Sequence, residues 1–232
     1  MTIEWKKLEN LITFGYNDFP MKKINQPICK FILLFTLISF RIEAQSSESL
    51  PNIVFSIFNA NTMLPGGGDL FISSTVVHPG FNLGVEFLLK NKGNNQFLYT
   101  TKLGYFYHRN SQYAIQLFGE LGYRRWMAAK HFSLESRLAV GYLHSIPDLQ
   151  VFKIDDNGNY QNGKGIGRPQ AMIALSLCPS YTFNPASAHP LRIFIDYQFM
   201  VQTPFVKNYV TILPYNLLHL GVASNFLSCI KK

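Results

Sequence analysis

The amino-acid sequence predicts an all-β fold: an antiparallel, up-and-down transmembrane β-barrel, expected to have eight strands and to follow a signal peptide. Three observations predict it. Beyond residue 45, segment after segment alternates apolar and polar residues one by one, the period of a strand with two different faces. The one continuous apolar run, residues 31–40 (FILLFTLISF), is about half the ~20 residues that a helix needs to cross a bilayer. Charged residues make up only 15% of the chain and aromatic residues another 15%, a balance that suits a surface facing something other than water.

The flanks of the apolar run explain it. Met21-Lys22-Lys23 opens a basic segment that Lys30 closes, the run follows, and Ile42-Glu43-Ala44 ends on a small residue before Gln45. This is the layout of a secretory signal peptide. The chain therefore divides into an upstream extension or misassigned start (1–20), a signal peptide (21–45) and a barrel (46–232). Cys29 precedes the apolar run instead of ending it, which argues against the lipid-modified cysteine of a lipoprotein. Cys178 and Cys229 form neither a disulfide framework nor a metal motif and are expected to be unpaired. After residue 45, 15 Lys and Arg stand against 9 Asp and Glu, a net charge of +6. Export removes nucleic acid as a partner and leaves anionic lipid or lipopolysaccharide headgroups as the targets of exposed cations.

The strands follow in order. Two segments compete to be the first, 53–60 (IVFSIFNA) and 70–77 (LFISSTVV), separated by the turn-like Pro65-Gly66-Gly67-Gly68. Next, Phe81, Leu83, Val85, Phe87 and Leu89 oppose Asn82, Gly84, Glu86 and Lys90; then Tyr99, Leu103, Tyr105 and Tyr107 oppose Thr100, Lys102, Gly104 and His108. Tyr113, Ile115, Leu117, Leu121 and Tyr123 oppose Gln116, Glu120 and Arg124, and Phe132, Leu134, Leu138, Val140 and Tyr142 oppose Ser133, Glu135, Arg137 and Gly141. Ile173, Leu175, Leu177, Tyr181 and Phe183 oppose Met172, Ala174, Ser176, Cys178 and Ser180, while Ile193, Ile195, Tyr197, Phe199 and Val201 oppose Arg192, Asp196, Gln198 and Gln202. Last, Leu218, Leu220, Val222 and Phe226 oppose His219, Gly221, Ala223 and Asn225. Each is near the ~9–11 residues of a tilted spanning strand, and an even count requires one of the two upstream segments, not both.

Connection lengths agree with this threading. With a periplasmic N-terminus, the periplasmic turns are 91–96, 126–131 and 184–190, all short, and the external connections are 109–112, 145–168 and 202–215, two of them the longest after residue 80. A soluble lipocalin-like barrel or sandwich would alternate too, with apolar side chains packed inside. The polar faces here are instead rich in Gly, Ser, Thr and Ala, and Tyr or Phe recurs near the ends of the apolar faces, as in interfacial girdles.

The run His219-Leu220-Gly221-Val222-Ala223-Ser224-Asn225-Phe226 resembles the C-terminal strand signal by which the barrel-assembly machinery recognises outer-membrane barrels. His219, Gly221, Val222 and Phe226 carry the likeness; Ser224 departs from it, and residues 227–232 overhang the terminal Phe. With the signal peptide and strand count, the chain looks like a member of the small eight-stranded bacterial outer-membrane β-barrel proteins. The resemblance implies a place in the outer membrane of a Gram-negative envelope.

The polar faces carry Glu86, Glu120, Glu135 and Asp196 against Lys102, Arg124, Arg137 and Arg192. An eight-stranded barrel is just wide enough for side chains to fill it, and charges inside it must pair. We therefore expect a plugged lumen crossed by an ion-pair network, without catalytic residues, cofactor or metal. The function expected is that of a non-enzymatic envelope protein whose external loops, 145–168 and 202–215, contact a surface ligand or another envelope protein, the second through Pro204, Phe205, Tyr209 and Tyr215. Transport of a small apolar molecule is one alternative. Modification of lipid A is the other: His131, Ser133 and Glu135 fall on one predicted face and are similar to a His-x-Ser deacylase motif. The threading puts them at the periplasmic end, away from the outer leaflet where lipid A lies. Asp155-Asp156-Asn157-Gly158-Asn159 lacks the glycine position and distant Glu of an EF-hand loop, and Asn157-Gly158 reads as the turn of a projecting hairpin.

Overall fold

The computed structural model describes residues 51–62, 77–109, 111–149, 152–154, 158–162, 165–187, 189–205 and 210–225. The signal-peptide segment 21–45, most of the candidate strand 70–77, the central residues 155–157 of the acidic loop motif, Phe226 and Cys229 lie outside them.

Eight long strands form the wall: β1 (Asn52–Thr62), β2 (Pro79–Lys92), β3 (Asn95–His108), β4 (Gln112–Met127), β5 (Phe132–Pro147), β8 (Arg168–Phe183), β9 (Leu191–Thr203) and β10 (Leu213–Ser224). Two short strands, β6 (Phe152–Ile154) and β7 (Tyr160–Asn162), pair as a separate hairpin between β5 and β8. Each wall strand pairs antiparallel with its sequence neighbours, and β1 closes the ring against β10, from Ile53 opposite Ser224 to Thr62 opposite Tyr215. No wall strand has a free edge, so the backbone polar groups bond within the ring, as a lipid surround demands. The first strand is the segment around 53–60; with it the ring is complete.

The wall strands run to 11–16 residues, longer than the sequence pattern suggests. At about 3.3 Å per residue a 16-residue strand outreaches the hydrocarbon layer even when tilted, so its ends stand in the interfaces. The alternation broke early for an ordinary reason: near the rims both faces meet polar surroundings.

Burial is inverted relative to a water-soluble barrel. The outward positions are large and apolar, among them Ile57, Leu83, Leu103, Leu121, Leu175, Ile195 and Leu220, each more than half exposed. The inward positions are buried and include Glu86, Lys102, Glu120, Arg124, Glu135, Arg137, Arg192 and Asp196. The lumen is not polar throughout, however. Toward the end where β3, β5 and β9 finish, Phe58, Phe106, Phe118, Leu143, Met172, Met200 and Leu217 pack into one apolar cluster. An apolar interior was expected to mark a soluble barrel. Here it coexists with an apolar exterior, and the exterior decides: a belt of exposed Leu, Ile and Phe on all sides requires lipid.

Glycine makes the large lumenal rings possible. A Cβ at Gly141 would clash with that of Phe118 opposite it, and one at Gly221 with the ring of Phe194 opposite. The Phe194 ring leans over the bare backbone of Gly221, which fills the lumen and covers the gap in one step.

Candidate functional site

The charged residues of the inward faces converge in the half of the barrel nearer the short turns. Register does part of this: Arg124 on β4 lies directly opposite Glu135 on β5, and its Nε donates to Glu135 Oε1 at 2.5 Å. Its Nη2 reaches Glu86 Oε2 at 2.8 Å. Across the lumen, Arg192 on β9 donates Nη2 to Glu86 Oε2 at 2.6 Å and Nη1 to Glu135 Oε1. Arg137 completes the surround of Glu135, Nη2 to Oε2 at 2.5 Å, and its Nη1 lies 3.4 Å from Asp196 Oδ2 and 3.5 Å from Glu120 Oε2. Lys102 Nζ lies 2.8 Å from that same Glu120 oxygen. All eight groups join in one network of four acids and four bases, drawn from β2, β3, β4, β5 and β9.

Apolar contacts hold this network in place. The guanidiniums of Arg137 and Arg192 lie 5.5 and 5.9 Å from the ring of Phe194, and that of Arg124 lies 5.4 Å from the ring of Trp126 at the rim. Above it the His219 ring lies tilted against that of Phe58 at 4.6 Å and meets Gln198 Oε1 at 3.3 Å. His219 and Gly221 face inward in β10, and Val222 faces outward. Cys178, a free thiol buried in the lumen, is the cross-strand neighbour of Glu135.

At the far end of the lumen, amide side chains bond to one another across it. Gln112 Nε2 donates to Gln202 Oε1 and to the Tyr215 hydroxyl, both at 2.9 Å; Gln202 donates to Gln170, and Ser145 to Gln112. Gln170 Nε2 in turn donates to the Pro204 carbonyl at 2.9 Å. This corrects the expected exposure of the last external loop. Tyr215 is fully buried in the lumen, and Phe205 packs against the apolar cluster beneath the Arg168 guanidinium, 5.8 Å from its ring. Pro204 is exposed, and Tyr209 lies outside the described residues. Strand parity explains Tyr215: Leu213, Tyr215 and Leu217 share the inward face with His219. Among the described residues, the exposed large apolar groups in the connections at this end include Val77, Leu149, Ile154, Tyr160, Ile166, Val210 and Ile212, with Ile166 82% and Tyr160 74% exposed.

His131, Ser133 and Glu135 do not share a face. His131 closes a left-handed turn before β5 begins, and its ring stacks 5.9 Å from the outward-facing Tyr181. Ser133 points inward and shares a 2.6 Å hydrogen bond with Ser180, while Glu135 is held by three arginines. The turn breaks the alternation one residue before the strand, which the spacing alone conceals. Among the described residues no cluster of three or more His, Cys, Asp or Glu could hold a metal ion.

No protein-family model matches the chain, and no curated protein matches it. Among solved structures it is similar to Neisserial surface protein A (NspA), at 11% identity over 77% of this chain and 98% of that one, with a TM-score of 0.46. It is similar also to Ail, the attachment invasion locus protein of Yersinia pestis, at 13% identity over 76% and 98%, TM-score 0.38. Ail is also described in complex with the heparin analogue sucrose octasulfate. The N-terminal β-barrel domain of OprF of Pseudomonas aeruginosa aligns at 10% identity over 75% and 96%, TM-score 0.33.

Proposed function

We propose that this chain, an eight-stranded outer-membrane β-barrel, is a non-enzymatic envelope protein whose barrel is a plugged anchor and whose external loops make contact with a surface ligand or another envelope component. The observation that carries this reading is the continuity of lumenal side chains: a charge network in one half, an apolar cluster in the other and a hydrogen-bonded amide layer at the far mouth. Side chains meeting across the lumen in this way support a sealed barrel, whose work then falls to the outside. The residues left for that work are the exposed apolar groups of the connections 148–167 and 204–212. The short turns and both termini of the wall share one end, which fits a periplasmic orientation of that end. β10, with His219, Gly221 and Val222, is the strand we assign to recognition by the assembly machinery.

Two measurements test the reading. Reconstituted into planar lipid bilayers, the protein is expected to give no steady ionic conductance; a stable open level would defeat the plugged lumen. Cells displaying the protein are expected to adhere to polystyrene or to matrix-protein-coated surfaces more than cells in which residues 152–162 are replaced by a short Gly-Ser linker, with equal surface abundance. Equal adhesion of the two would remove the loops from the function.

A further inference from the structure

We propose that the short-turn rim of the barrel carries a binding site for the phosphate of an anionic phospholipid, on the arc between β2 and β5. Charge is the first ground. Lys90, Lys92, Arg125 and Lys130 are exposed along this arc, and none of them has an ion-pair partner among the described residues. The carboxylates at this end, Glu86 and Glu135, are sealed in the lumen and held by arginines. The other turn at the same end, residues 184–190, carries no Lys, Arg, Asp or Glu. Among the described residues the exposed positive charge of this rim therefore lies on one side.

Geometry is the second ground. Between the two turns of this arc lies an open cavity of about 260 Å³ walled by Asn94, Trp126, Met127, Ala128, Ala129 and Lys130. Ala128, Ala129 and Lys130 have φ of 47, 54 and 67°. The three form a tight left-handed turn, closed by the His131 N–H donating to the Ala128 carbonyl at 3.0 Å, that walls one side of the cavity. Alanine in the left-handed region is costly, and two in succession call for a reason. A basic side chain, Lys130, and a tryptophan flank, Trp126, in one open concavity form a set suited to a phosphate joined to an acyl chain.

Depth is the third ground. Arg125 follows Leu121 and Tyr123 on the outward, lipid-facing side of β4, and the Tyr123 ring packs on Phe97 at 5.3 Å. Such a pair marks the membrane interface. A cation one step beyond it lies at headgroup level, with its alkyl stem in the apolar layer and its charge at the phosphates. A soluble acidic partner would not need this aromatic step beside the cations.

Trp126 lies in the cavity wall, and Trp5 is the other tryptophan of the chain. In a Trp5→Phe background, the full chain reconstituted in bilayers is expected to show stronger quenching of Trp126 by brominated phosphatidylglycerol than by brominated phosphatidylcholine. Lys92→Gln, Arg125→Gln and Lys130→Gln should each lower that preference about fivefold, the factor a basic residue near an anionic surface contributes. Arg109→Gln, at the opposite rim, should leave it unchanged. Equal quenching by the two lipids, or a preference that survives the triple substitution in protein with unaltered β-sheet dichroism, would overturn the proposal. So would loss of the preference on adding inorganic phosphate but not chloride of equal ionic strength, which would make this a site for soluble anions. Trp126 reports its own surroundings in whichever leaflet it lies, so the result is independent of the loop function and of the orientation proposed above.

Discussion

Glu135 is fully buried and receives hydrogen bonds from Arg124, Arg137 and Arg192. Removing it would leave three buried guanidiniums with fewer carboxylates than they need. Loss of one partner from a buried pair costs about 3–5 kcal/mol, because the surviving charge stays desolvated. Glu135→Ala is expected to lower stability by about that amount in urea unfolding of the protein in phospholipid vesicles; a change under ~1 kcal/mol would mean that water reaches the network. Lys102 and Glu120 offer the complementary test, since they form a close pair at one side of it. Lys102→Met alone should destabilise strongly, whereas Lys102→Met with Glu120→Leu should recover much of the loss, the double change removing both charges together. At this scale alternation revealed which ionisable groups share a face, but not which acid meets which base. Glu86 and Arg192 are 106 residues apart, and only closure of the ring brings them within 2.6 Å.

Strands were legible because their two faces differ so sharply. Leu175, in the middle of β8, is 60% exposed on the lipid side, between Leu138 and Phe199 of the neighbouring strands. An arginine there would enter the hydrocarbon at mid-depth, and Leu175→Arg is expected to cost about 2–4 kcal/mol. Tyr160→Arg, in the β6–β7 hairpin beyond the wall, is at least as exposed but should shift the same unfolding curve by less than ~0.5 kcal/mol. If the two behaved alike, the outer wall would be facing water. What the pattern missed were the large apolar residues on inward faces. Phe106, Phe118, Phe194 and Met200 fall at lumenal parity among glycines and charges, and period alone gives no reason to expect them there. Their glycine partners were the available signal: Gly141 and Gly221 are opposite Phe118 and Phe194, and a bare backbone position implies that something large must cover it. The choice of β1 was equally open, because both upstream segments have strand-like composition. Hydrogen bonding to β10 and β2 together made it.

Considered as a whole, the molecule separates its closed wall from the β6–β7 hairpin. Every long strand is bonded on both sides, and the hairpin β6–β7 pairs only with itself. Deleting residues 152–162 should therefore leave the barrel intact, with unchanged heat-dependent migration on a gel and unchanged β-sheet dichroism. A barrel that failed to form would show the hairpin to be part of the wall's folding and not an appendage.

The sequence by itself determined that this chain is built from strands with one lipid-compatible face, that eight of them close into a barrel, and which charges face inward. These properties are local: they depend on residue parity, and parity survives in one dimension. The tertiary structure decided the pairing of the lumenal charges, the burial of Tyr215 and Phe205 beneath the external mouth, the separation of His131 from Ser133, and the gathering of four cations on one arc of the rim. Each depends on which strands become neighbours around a ring, and on where a left-handed turn interrupts the alternation, neither of which is encoded in the spacing of any single segment.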